Sequence, residues 1–147
     1  MALHRSEQIM AAVLTQLTGL TTTGSDAKRN YTHPFDSSIT DGLYVIMGAE
    51  SPVDDSNKNY SYIDIDLEII VSVHTLNAAP ETRLNLIKKE ITIAMMTDPL
   101  PFGLAWIIDV DDAIWTQPEI SDGKKPTAMT EGRFNIKYRR SITDPSA

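Results

Sequence analysis

The run Ile63-Asp64-Ile65-Asp66-Leu67-Glu68-Ile69-Ile70-Val71-Ser72-Val73-His74 decides the fold. Ile63, Ile65, Leu67, Ile69, Val71 and Val73 take every second position, and Asp64, Asp66, Glu68, Ile70, Ser72 and His74 lie between them. A period of two sends alternate side chains to opposite faces of a strand. The pattern predicts one strand with a buried face and a mostly polar face. At ~3.3 Å per residue it runs for roughly 35 Å or more, beyond the typical strand.

Working outward, a second helix follows this strand. Pro80 suits a first helical turn, where a missing N–H costs nothing. Leu84, Ile87, Ile91 and Met95 form an apolar stripe, with Leu86 and Ile93 beside it and Lys88, Lys89 and Glu90 away from it. Asp98-Pro99 is a stop signal. Before the long strand, Ile9, Met10, Val13, Leu14 and Leu17 recur at helical spacing within residues 3–17, and Gly19 sits where a helix end favours positive φ.

Residues 27–32 read as a short strand and 43–47 as a buried strand bounded by Gly42 and Gly48. Residues 33–41 and the polar stretch 50–59 read as loops. Further on, 104–110 and 113–116 read as strands joined by an acidic turn, Asp109-Val110-Asp111-Asp112. Residues 119–126 read as a polar turn. A closing strand over 128–142 puts Phe134, Ile136 and Tyr138 on one face and Arg133, Lys137 and Arg139 on the other. The order α-β-β-β-α-β-β-β predicts an α+β fold: a mostly antiparallel or mixed sheet with two amphipathic helices packed on one face.

The 147 residues fit one domain, residues 1–147. A chain this long can bury a core without staples, and it contains no cysteine. Thiolate nucleophiles, disulfides and cysteine-held zinc are therefore excluded. No apolar run reaches the ~18 residues of a membrane span. Arg5, Ser6, Glu7 and Gln8 interrupt what would be the apolar core of a signal peptide, so neither secretion nor membrane insertion is expected. The net charge of −7 repels nucleic acid and anionic membranes.

Catalytic signatures are missing. His4, His33 and His74 form no zinc-binding spacing, and there is no nucleophile elbow, phosphate loop or dinucleotide fingerprint. His74 reads as a solvated or hydrogen-bonded residue. Asp55-Ser56-Asn57-Lys58-Asn59 followed by Asp66 begins like a calcium loop, but Tyr60 stands where that loop needs glycine. Asp64, Asp66 and Glu68 could serve acid–base or metal-dependent hydrolysis, yet a flat carboxylate row forms no cleft. The expectation is a protein that is not an enzyme and uses no cofactor or metal. A small metal-dependent hydrolase is the remote alternative.

Arg133, Lys137 and Arg139, with Arg140, Lys124 and Lys125, hold 6 of the 13 basic residues. Phe134 and Tyr138 alternate to the opposite face, so they cannot stack bases beside them. The natural complement of this basic face is the acidic face of the long strand. Asp64, Asp66, Glu68, Arg133, Lys137 and Arg139 are thus the candidate interface residues. They meet either side by side in one sheet or across subunits.

Several segments together carry a family resemblance. They are the opening Met1-Ala-Leu-His-Arg-Ser-Glu-Gln-Ile-Met-Ala-Ala-Val-Leu, the buried strand 43–47 leading into Gly48-Ala-Glu-Ser-Pro-Val, the strand 62–73, the helix 81–96 ending at Asp98-Pro99, and the closing strand 133–140. In order and length they resemble the tail terminator (tail completion, minor tail protein U-like) family of lambda-like long-tailed bacteriophages. The resemblance implies a virion protein, assembled in the host cytoplasm, that forms a homo-oligomeric, hexameric ring. Such a ring caps the head-proximal end of the tail tube, ends tube polymerisation and docks the head-tail connector. It lets genome DNA pass through its lumen without specific binding. The alternative of the same class is a head-completion or neck connector protein.

Overall fold

The alternating run is the centre of the sheet in a computed structural model that describes residues 3–29, 41–53, 61–76, 79–96, 103–121 and 127–147. The elements in chain order are α1 (Arg5–Leu17), β1 (Ala27–Arg29), β2 (Asp41–Pro52), β3 (Tyr62–Thr75), α2 (Pro80–Met95), β4 (Ile107–Trp115), β5 (Glu119–Ser121) and β6 (Thr127–Ser141). The sheet order is β1-β2-β3-β6-β4, with β5 also beside β6. Among the described residues, only β1 and β2 run parallel and every other pair is antiparallel. The fold is α+β, as predicted, although the strands after α2 are divided differently from the expectation.

β3 is central: β2 and β6 hydrogen-bond its two edges and so satisfy its backbone groups. β6 pairs it from Tyr62↔Ser141 to Thr75↔Ala128 without a break. Leu67, Ile69, Val71 and Val73 are fully buried, as are Phe134, Ile136 and Tyr138 of β6 and Leu43 and Val45 of β2. On the same face lie the helix stripes Ile9, Met10, Val13 and Leu17 of α1 and Leu84, Ile87, Ile91 and Met95 of α2. Each such side chain contributes roughly 1.5–3 kcal/mol on leaving water. No helix is long and apolar enough to cross a membrane among the described residues.

The helix ends follow local chemistry. His4 Nδ1 accepts the Ser6 N–H at 3.1 Å, satisfying one free donor at the start of α1. Gly19 has φ +89°, as its position predicts, and its N–H donates to Gly24 O at 2.8 Å. Pro80 occupies the first turn of α2, and the Met96 N–H closes its end on Thr92 O at 3.0 Å.

Three segments differ from expectation. β2 does not stop at Gly48: beyond an irregularity between Met47 and Glu50 it resumes with Glu50↔Leu67, Ser51↔Asp66 and Pro52↔Ile65. A Cβ on Gly48 would lie 3.0 Å from the Glu68 Cβ, so glycine lets the bulged chain approach β3. The acidic run Asp109 to Asp112 is no turn but the middle of one strand, β4. Irregularities between Ile107 and Asp109 and between Asp111 and Ile114 absorb the misfit. Ladder bonds to β6 there outweigh the weak strand preference of aspartate. Residues 119–121 pair with β6 as β5 rather than turning. The expected loops over 33–41 and 50–59 are overturned at Asp41 and at residues 50–52, which the ladder to β3 draws into β2; their remaining residues 33–40 and 54–59, the Asp98-Pro99 stop and the turn residues 122–126 lie outside the described residues.

The resumed β2 carries Glu50 to the margin of the core, where its carboxylate accepts the Tyr138 hydroxyl. Burial, reinforced by Glu50, pushes the Tyr138 phenol well above the ordinary tyrosine range. The folded chain then holds this proton more tightly than the unfolded chain. Its stabilising contribution is complete below about pH 10 and is lost as pH rises beyond it, at about 1.4 kcal/mol per pH unit. Denaturant melts between about pH 10 and 12 should show this slope in the native chain and lose it in Tyr138→Phe.

Candidate functional site: the charged face of the sheet

The helices cover one face of the sheet, and the candidate interface residues project from the other. Register places Asp64 opposite Arg139 and Asp66 opposite Lys137. Asp64 Oδ1 accepts from Arg139 Nε at 2.8 Å, and Glu68 Oε1 from Arg133 Nη1 at 2.9 Å. The second bond is diagonal, because Glu68 faces Asn135, whose amide donates to Asp66 Oδ1 at 3.2 Å. Asp64 with Arg139 and Glu68 with Arg133 therefore meet side by side within one chain.

The two ion pairs are unequal. Asp64 is buried, and its carboxylate raises the Arg139 pKa, chiefly through their hydrogen bond. The polar face of β3 is thus only partly solvated, since Ser72 is buried as well. Glu68 and Arg133 are more open, and Arg133 also lies 3.8 Å from Glu131. About half of the Arg133 and Arg139 side chains remains exposed (45% and 47%), so each keeps a side free for another partner.

The sequence reading missed the contribution of β4. Pairing places Asp109 beside Lys137 and Asp111 beside Asn135, on this same face. Across β3, β6 and β4 the carboxylates of Asp64, Asp66, Glu68, Asp109, Asp111 and Glu131 outnumber Arg133, Lys137 and Arg139. The surface is acidic with embedded cations. Reversing Arg133 and Lys137 to glutamate would set new carboxylates against Glu68, Glu131, Asp66 and Asp109. The expected loss is about 1–2 kcal/mol, since cross-strand pairs contribute roughly 0.2–1 kcal/mol each. Thermal melts of the double variant check it; an unchanged melting temperature with unchanged oligomer size would contradict it.

A second polar cluster was also missed. Asp41 is buried at the start of β2 and accepts Thr75 Oγ1 at 2.7 Å and Arg83 Nη2 at 2.9 Å. Arg83 Nε adds contacts of 3.2 Å to both carboxylate oxygens. One carboxylate thus joins β2, the end of β3 and the first turns of α2. Burial holds the His74 pKa below its ordinary value, against a smaller opposite pull from Asp41. Similar ties pin α1 and α2 to neighbouring segments: Arg29 Nη2 donates to Glu7 Oε2 at 2.7 Å, and the Thr22 N–H to Glu90 Oε1 at 2.8 Å.

Among the described residues, no three His, Asp or Glu side chains are grouped to hold a metal ion. Two described cavities are small. One of about 200 Å3 is lined by Thr116, Gln117, Glu119, Met129, Thr130 and Glu131. The other, about 230 Å3, lies between Ile120 and the start of α2. Neither reaches the ~300 Å3 at which small-molecule pockets begin.

The sequence matches no family model and no curated protein. Among solved structures, the chain is similar to a chain in the virion of a native gene transfer agent particle. The TM-score is 0.50 at 15% identity, over 89% of this chain and 94% of that one. At this identity the likeness is one of fold.

Proposed function

We propose that this chain is a non-enzymatic structural protein of a phage-like virion, and within it the tail terminator. In this reading it closes into a hexameric ring on the head-proximal end of the tail tube. The ring ends tube growth, receives the head-tail connector and lets DNA pass. The observation that carries the reading is the fold shared with a virion chain across nearly the whole of both molecules. The element order and the segments that resemble terminators support the finer role. So does the −7 charge, which leaves an acidic ring little hold on passing DNA.

The six interface residues have two tasks here. Their pairs fix the β3–β6 register, and the open sides of Arg133 and Arg139 meet neighbouring subunits. Co-sedimentation separates terminator from neck protein. The chain should pellet with tail tubes and not with filled heads lacking tails. Binding to heads alone would assign it to the neck.

A further inference from the structure

Among the described residues, the strand order ends in β4 on one side and β1 on the other, and their exposed charges differ in sign. β4 exposes Asp109, Asp111 and Asp112 together with Ile108 (48%) and Ile114 (79%). β1, at the other end of the strand order, exposes Lys28. Lys28 pairs with Tyr44, whereas Ala27 pairs with Leu43 and packs on the core. Lys28 therefore points to the face away from the helices, as Asp109 and Asp111 do.

Strand directions complete the match. β1 runs with β2, and each later step along β2, β3, β6 and β4 reverses direction. β1 and β4 are antiparallel to each other. A second copy set beside β4 in the same orientation presents its β1 as an antiparallel neighbour, with helices on one side and Lys28 on the face that carries the aspartates.

A two-fold β4–β4 contact would oppose like charges, which is destabilising. Charges and bulges on an edge also discourage indiscriminate strand pairing. A basic, differently built edge is accepted where a copy of β4 is refused. Head-to-tail contacts of this kind close into rings when the rotation permits.

We infer that the β4 edge of one subunit docks the β1 edge of the next copy, with Asp109 and Asp111 receiving Lys28. This rests on the self-assembly proposed above and names its contact. Because the chain has no cysteine, introduced cysteines report the contact on a clean background. Lys28→Cys with Asp111→Cys, oxidised after assembly on tail tubes, should give a disulfide ladder on denaturing gels. Each single variant should remain uncrosslinked. Dimers from Asp111→Cys alone would overturn the inference in favour of a two-fold contact. Rings in the microscope without any ladder would overturn it and leave the ring reading standing. Absence of any oligomer, with or without tubes, would overturn both.

Discussion

Truncating Phe134 to alanine is expected to destabilise the chain by about 3–5 kcal/mol, the range for deleting a buried aromatic ring. Phe134 is fully buried in the middle of β6, opposite Ile69. Trp115 meets it edge-on, with ring centroids 6.3 Å apart and planes at 83°. Because β6 pairs with β3, β4 and β5, the backbone around the cavity is held on both sides and cannot close it. Domains of this size have only about 5–15 kcal/mol of stability, so the loss would be a large fraction. Urea melts should show a lower midpoint with an unchanged slope. A loss under about 1 kcal/mol would mean that the ring is not packed as described.

Asp41→Ala is the second large effect, expected at about 2–3 kcal/mol. It leaves the fully buried Thr75 hydroxyl without its acceptor. It also strips Arg83 of its carboxylate, but that side chain is about one-third exposed (34%) and water recovers part of the loss. Thr75→Val, which removes only the donor, should cost about 1 kcal/mol. In a double-mutant cycle, the Asp41→Ala and Thr75→Val effects should fall short of additivity. Full additivity would show that the two groups act independently.

The two effects differ in how visible they were beforehand. Phe134 declares itself through alternation with Ile136 and Tyr138, because periodicity reports which face a residue occupies. The stripe of Leu84, Ile87, Ile91 and Met95 is legible for the same reason. Asp41 is not, because its partners come from 34 and 42 residues away and only tertiary folding joins them. Asp109 and Asp111 were misread because turn chemistry dominates a local reading, while the β6 ladder that keeps them in a strand is remote. The charged pairs of β3 and β6 were foreseeable as types, since both strands alternate. Their diagonal geometry, with Arg133 on Glu68 and Asn135 on Asp66, required the register.

The same features bear on the assembly role proposed above. One face of the sheet is buried beneath the two helices. In the proposed ring, the outer face and the edge strands β1 and β4 would carry the charge that selects neighbours. In this account the cations of β6 hold the subunit together first and meet neighbours with what remains exposed.

The most direct test of the central claim is negative-stain imaging of the purified chain with and without its cognate tail tubes. The account predicts closed rings, six subunits round, seated on one end of each tube and on no other structure. A chain that stays monomeric at high concentration, and leaves both tube ends bare, would contradict it.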